Sequence, residues 1–228
     1  MTHSISILGI GNAIMDVIAP ADDAFLKMHD IPKGGMTLID QPRALSLHMA
    51  LNGGEGKTQE IAGGSGANTI AGIAALGVSS AYIGKVANDK TGKSFTKSMQ
   101  SIGVHAATEP LKGGAATARC LIAVTPDGER SMSTYLGANT SFGPADIDAN
   151  LVRSAEITYM EGYLFDTDDQ KAAFVKAAEI AKAAGRKVAL TLSDGFCVGR
   201  HRAAFQHLVD NHVDILFAHK EEMLALYE

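Results

Sequence analysis

The 228-residue chain contains no tryptophan, few aromatics of any kind (6%) and only two cysteines. Without stacking residues, and with a net charge of −5 and no basic run, nucleic acid is excluded as the main partner. Cys120 and Cys197 are too few and too far apart to frame a disulfide scaffold, which points to a reducing compartment. No segment approaches the roughly 20 apolar residues that a membrane helix needs, so no membrane partner is expected. Met1-Thr-His-Ser lacks the basic start of a signal peptide, and a cytoplasmic location is expected. What is plentiful is apolar residue, 46% of the chain, enough for one sizeable domain with a real core.

The glycines are concentrated. Ala62-Gly63-Gly64-Ser65-Gly66-Ala67-Asn68-Thr69 runs into an apolar stretch stopped by Gly77, a pattern that brings bare backbone to the mouth of a helix with unpaired N–H groups. It reads equally as a ligand-binding strand-to-helix turn and as a tight structural turn; Asn68, placed to begin the helix, favours the first. Two other glycine clusters are decoys. Gly53-Gly54-Glu55-Gly56-Lys57-Thr58 ends like a phosphate-binding loop, but the motif's first glycine would fall at Leu51 and no strand precedes it; a polar surface turn is expected. Gly9-Ile10-Gly11-Asn12 follows a strand, yet Ile14 replaces the third glycine of a dinucleotide fingerprint and Asp16 would repel a pyrophosphate. Asp16 is suited instead to gripping a hydroxyl.

Strand-like runs at Ser4 to Leu8, Met36 to Ile39, Ala81 to Gly84, Ile157 to Met160, Val188 to Leu192 and Val213 to Phe217 alternate with helical patterns. The helices are read at Asp22 to Met28, from Asn68, at Thr91 to Ile102, Pro144 to Ser154, Asp168 to Ala184 and Arg200 to Val209. Ala118 to Val124 and Arg130 to Tyr135 flank a Pro-Asp-Gly turn and form a hairpin, which with the Met36 strand makes a separate small sheet. The fold class is therefore α/β: a doubly wound, mostly parallel sheet over residues 1–228, with a small β-sheet lid from segments about 17–61 and 113–137. Asp16, Glu161, Asp194 and His219 are placed at strand ends, where such sheets bind ligands. His201, His207 and His212 have no metal-ligand spacing and are expected at the surface.

Gly11-Asn12-Ala-Ile-Met-Asp16, Gly63-Gly64-Ser65-Gly66-Ala67-Asn68, Tyr82-Ile-Gly84 with Asn88-Asp89-Lys90-Thr-Gly92, Glu129-Arg130-Ser131 and Val213 to Phe217 together resemble the ribokinase-type (phosphofructokinase B) carbohydrate and nucleoside kinases. Within that family, Thr191-Leu-Ser-Asp-Gly-Phe196 and Arg130-Ser-Met-Ser-Thr134 lie nearest the adenosine kinases. The resemblance implies transfer of the γ-phosphate of ATP, with Mg²⁺, to a primary hydroxyl of a small-molecule nucleoside or sugar, as in purine salvage, by a monomer or homodimer. It implies that Asn12, Asp16, Gly64, Ser65 and Asn68 hold the sugar. Ile14, Met36, Met132, Leu164 and Phe196 match an apolar slot for a base, although each alone reads equally as core. Arg130 matches a phosphate contact or, more plainly, an exposed hairpin residue. Glu161, a carboxylate at a strand end, favours a ribokinase- or fructokinase-type sugar kinase as the alternative.

The chain departs from the family pattern in three places. Thr191 stands where asparagine is usual near the nucleotide. His219-Lys-Glu-Glu222 keeps the glutamate of the Mg²⁺-linked motif but not its asparagine, so Glu222 would act on the metal only indirectly. The 228 residues end at Glu228, ahead of the Asp-Thr-x-Gly-Ala-Gly-Asp segment that carries the family's catalytic aspartate. From these residues alone no base can be assigned, and the expectation is weak binding without measurable transfer; a non-catalytic nucleoside-binding protein is the rival outside the kinases.

Overall fold

The computed structural model describes residues 5–53, 58–106 and 108–228. The leader reading at Met1 to Ser4 and the middle of the polar turn at residues 54–57 lie outside them. In chain order the elements are β1 (Ile5–Ile10), β2 (Ile14–Pro20), α1 (Asp23–Met28), β3 (Met36–Leu38), α2 (Gln41–Asn52), β4 (Gln59–Gly63) and α3 (Ser65–Ala75). There follow β5 (Ser80–Ile83), α4 (Lys90–Ser101), β6 (His105–Ala106), β7 (Ala118–Val124), β8 (Arg130–Tyr135), α5 (Ala149–Ser154) and β9 (Ala155–Glu161). The last are α6 (Asp168–Ala183), β10 (Lys187–Thr191), α7 (Gly195–Arg200), α8 (Arg202–His212), β11 (Ile215–Phe217) and α9 (Lys220–Tyr227).

Six strands form a wholly parallel sheet in the order β11-β10-β9-β1-β5-β6. Side chains alternate across it, as strand geometry requires. Leu8, Ile10, Ala81 and Ile83 point into one core with α5, α6 and α8, whereas Ile7 and Tyr82 point into another with α3 and α4. Both faces are thus covered, which is why these strands read as continuous apolar runs. From β1 the chain order runs outwards in both directions, to β5 on one side and β9 on the other, so a crevice opens beyond the carboxyl ends of β1 and β9.

The second sheet has the order β3-β8-β7-β2-β4. The predicted hairpin is present as β7–β8, with Cys120 opposite Thr134 and Ile122 opposite Met132, and β3 joins it in parallel. Two of its strands were not legible in the sequence. β2 is apolar on both faces, with Val17 and Ala19 packed under α1 and α2 and Ile14 and Ile18 on the other side, so it lacks the polar-apolar alternation of a half-exposed strand. β4 is a mostly exposed edge strand with little apolar surface.

Other boundaries shift for local reasons. The helix read from Pro144 is a 3₁₀ turn, Pro144–Asp146, followed by α5 with its own cap, Asp148. The helix read from Arg200 is two, α7 and α8, broken at His201, which lies outside helical geometry (φ −126°). Asp22, Asp89 and Asp194 each cap a helix through a side-chain oxygen, the pattern that makes these starts readable.

Candidate active site

The glycine cluster turns β4 into α3. Gly64 has φ +95°, a left-handed conformation in which a side chain would be strained, and a Cβ there would sit 2.6 Å from the Asn12 carbonyl oxygen. A Cβ on Gly63 would lie 2.3 Å from an Asp16 carboxylate oxygen. The motif is therefore bare because two other segments, the β1–β2 turn and the middle of β2, lie against it. α3 begins at Ser65, three residues earlier than expected, and Gly64 caps it without a side chain; Asn68 is in the first turn, its N–H bonded to the Gly64 carbonyl at 2.8 Å. Its side chain is free to face the crevice.

Three buried groups fix the β1–β2 turn. Asn139 accepts the Ala13 N–H at 3.0 Å and returns a bond to the Ala13 carbonyl, Tyr82 donates its hydroxyl to the Asn12 carbonyl at 2.9 Å, and Glu161 accepts the Asn12 N–H at 2.6 Å. Glu161 also accepts from the Gly66 N–H at 2.8 Å and from the Ser65 hydroxyl. Burial raises the Glu161 carboxyl above its ordinary value, while the donors from Ser65, Asn12 and Gly66 pull it back.

Asp16 is not at the end of a parallel strand. It is the third residue of β2, between Cys120 of β7 and Ile61 of β4, so the lid and not the main sheet carries this carboxylate. Burial pushes its pKa up to about 6, against the opposing pull of the Arg130 guanidinium. Its position beside Gly63 directs it into a cavity of about 690 Å³ between lid and sheet.

This cavity has a polar floor of Asn12, Asp16, Gly64, Ser65, Asn68 and Glu161, brought together from four segments. Its lid wall is apolar, with Ile14, Met36 and Met132 among the expected residues and Ile122 besides. Phe196 stands at the rim on the first turn of α7, 86% exposed. Arg130, exposed at the start of β8, lines the same space. A volume of this size with few convergent polar groups and an apolar wall is that of a small-molecule site.

Leu164 does not join them. It is fully buried in the main core with Phe165 and Phe174, because the turn after β9 sends Tyr163 and Asp166 to the cavity and the residues between them inward. Thr191, His219 and Glu222 lie apart from this cavity, at the ends of β10 and β11. Glu222 is 5% exposed and accepts the His219 N–H at 2.9 Å, completing the first turn of α9. Asp194 caps α7 through the Cys197 N–H and also lines the cavity.

Sequence reasoning missed Tyr163, Asp166 and Arg200 on the cavity wall. Asp166 accepts from Arg200 at 3.0 Å and pairs with His201 at 3.1 Å, so His201 is largely covered and not a free surface residue. Partners some 35 residues apart leave no spacing signal. Ser193, in the left-handed region at φ +73°, accepts the Tyr163 N–H at 3.2 Å and ties the two loops together. Cys120 and Ile122 were findable: once the hairpin register is set, they share a face with Met132 and Thr134. Among the described residues no group of three His, Cys, Asp or Glu side chains is placed to hold a metal, and no helix is long and apolar enough to cross a membrane.

Residues 28–228 match the model of the pfkB family carbohydrate kinases. Among solved structures, the adenosine kinase from Sinorhizobium meliloti is similar with a TM-score of 0.88 at 49% identity, over 98% of this chain and 68% of that one. A probable sugar kinase from Rhizobium etli CFN 42 gives a TM-score of 0.89 at 45% identity, over 98% and 67%. Fructokinase-2 from Solanum lycopersicum is 32% identical over 125 residues, which cover 54% of this chain and 38% of that relative. The chain thus spans less than half the length of the curated relatives it matches.

Proposed function

The chain belongs to the pfkB family of carbohydrate kinases, and we propose that its substrate is adenosine or a similar nucleoside, phosphorylated on its primary hydroxyl with ATP and Mg²⁺. The observation that carries this reading is the cavity's division into two chemistries. Its floor offers carboxylate, hydroxyl and amide to sugar hydroxyls, while its lid wall and the exposed ring of Phe196 offer apolar surface for which a free sugar has no counterpart. The 49% identity to an adenosine kinase supports the same choice.

Fixed acceptors orient the reactive hydroxyl, and positioning is most of the catalysis in phosphoryl transfer. The lid sheet would exclude water from the covered ligand. Arg130 is the proposed phosphate contact. Thr191, His219 and Glu222 are proposed for the nucleotide side; Glu222, spent on its own helix turn, would reach Mg²⁺ only through water, which suits an ion held chiefly by phosphates. Binding is the measurement that reads the cavity described above, and these 228 residues alone are expected to bind without measurable turnover.

A sugar kinase is the second reading, favoured by the fructokinase relatives at 32% identity and by the carboxylate of Glu161 on the floor. Calorimetric titration with adenosine, ribose and fructose separates the two. Adenosine is expected to bind tightest; fructose binding with adenosine excluded would overturn the nucleoside reading. Phe196→Ala should weaken adenosine by up to about tenfold and ribose hardly at all, since an aromatic contact contributes about 0.5–1.5 kcal/mol beyond area burial. The same variant should melt within about 0.5 kcal/mol of the wild-type stability, as its exposure dictates. Equal losses for both ligands would place Phe196 outside the base contact.

A further inference from the structure

Glu161 lines the cavity, but its hydrogen-bonding capacity is already engaged. It is 1% exposed; Oε2 accepts the Asn12 N–H at 2.6 Å, and Oε1 accepts the Gly66 N–H at 2.8 Å together with the Ser65 hydroxyl. The neighbouring backbone is shaped around it: a Cβ on Gly11 would lie 2.7 Å from Oε2, and one on Gly66 would lie 3.2 Å from the Glu161 Cβ. One carboxylate therefore links the end of β1, the first turn of α3 and the end of β9.

A serine hydroxyl has one proton and two lone pairs. Where the proton is committed to a carboxylate that also receives a backbone N–H on each oxygen, the lone pairs alone remain for the cavity. Ionised Asp16 is likewise an acceptor only. The floor then shows two acceptors, and a ligand must bring a donor to each.

We propose that Glu161 is a positioning residue, not a substrate contact, and that by holding the Ser65 proton it makes Ser65 an obligatory acceptor, so that the site demands a second hydroxyl beside the one gripped by Asp16. The inference rests on the nucleoside reading only for the choice of ligands in its test. The network itself is present without any ligand.

The sharp probe is an O-methyl ether, whose oxygen accepts but cannot donate. Wild-type protein should prefer adenosine strongly over its 2′-O-methyl, 3′-O-methyl and corresponding deoxy analogues. Glu161→Gln keeps the shape but has one acceptor atom fewer, which frees the Ser65 proton; the preference for hydroxyl over ether at one ribose position should then collapse by about tenfold, the effect of one hydrogen bond to a charged partner. Ser65→Ala should lose the same preference with Glu161 in place, and the double variant should lose no more. Weaker binding of all analogues in equal proportion would overturn the proposal, leaving Glu161 a structural residue. If Glu161→Gln does not fold, Ser65→Ala decides: an unchanged hydroxyl preference there also overturns it. If the wild-type chain binds a free sugar and no nucleoside, the nucleoside reading falls, and the same comparison with that sugar and its methyl ethers tests Glu161 unaltered.

Discussion

At about pH 8 the Asp16→Asn variant is expected to melt above the wild-type chain, yet to bind its nucleoside about ten- to a hundredfold more weakly, because charge-assisted hydrogen bonds contribute about 1.5–3 kcal/mol. The two effects share one cause. Burial raises the Asp16 pKa from the ordinary 3.8 to about 6, with Arg130 pulling the other way. A folded pKa above the unfolded one means that the folded chain holds the proton more tightly. The stability this confers is complete below the unfolded value and is lost as pH rises through about 6, so the ionised carboxylate is a burden at neutral pH. Fully converted, the shift would correspond to about 3 kcal/mol; solvent reaching the half-buried carboxyl trims this to about 1–2 kcal/mol. Asparagine removes the burden together with the charge that ligand hydroxyls need. The wild-type affinity should fall about tenfold for each pH unit below about 6, as the carboxylate takes up its proton, and the variant's should stay flat. Titrations and melts across that range check both arms. A variant that binds like wild type and keeps the pH dependence would remove Asp16 from the ligand site.

That Asp16 belongs to the site was legible in its neighbours, but where it sits was not. Gly11-Asn12 and Gly63-Gly64-Ser65-Gly66 declare close backbone approach, and the structure shows what approaches: the Asp16 carboxylate at Gly63, the Asn12 carbonyl at Gly64, Glu161 at Gly11 and Gly66. The residue types at those contacts could not be told from glycine spacing. Asp16 was placed at the end of a parallel strand because β2 lacks period-two alternation, being buried by α1 and α2 on one side and by the cavity's apolar wall on the other. The parallel sheet was readable for the opposite reason: its strands are covered on both faces yet separated by capped helices, so their rhythm survives in the sequence. Long-range partners such as Asn139 at Ala13 and Asp166 at Arg200 left no trace, since neither spacing nor residue type ties them together before the chain is folded.

Leu164 and Met132 separate core from site most plainly. Both matched the apolar slot in sequence, but Leu164 is fully buried among Phe165, Phe174 and their neighbours, whereas Met132 lies half-buried on the lid wall. Leu164→Ala should therefore leave a cavity that its rigid surroundings cannot close, at about 2–5 kcal/mol of folding stability. Its ratio of adenosine to ribose affinity should stay at the wild-type value, because any loosening of the turn that carries Glu161 and Tyr163 acts on the sugar floor shared by both ligands. Met132→Ala should do the reverse, with little loss of stability and a lower adenosine-to-ribose ratio, since the lost contact faces the base alone. Denaturant melts and paired titrations on the two variants read this directly. If Leu164→Ala lowered the ratio while melting like wild type, its side chain would reach the base, and the division between core and slot drawn at the turn after β9 would be wrong.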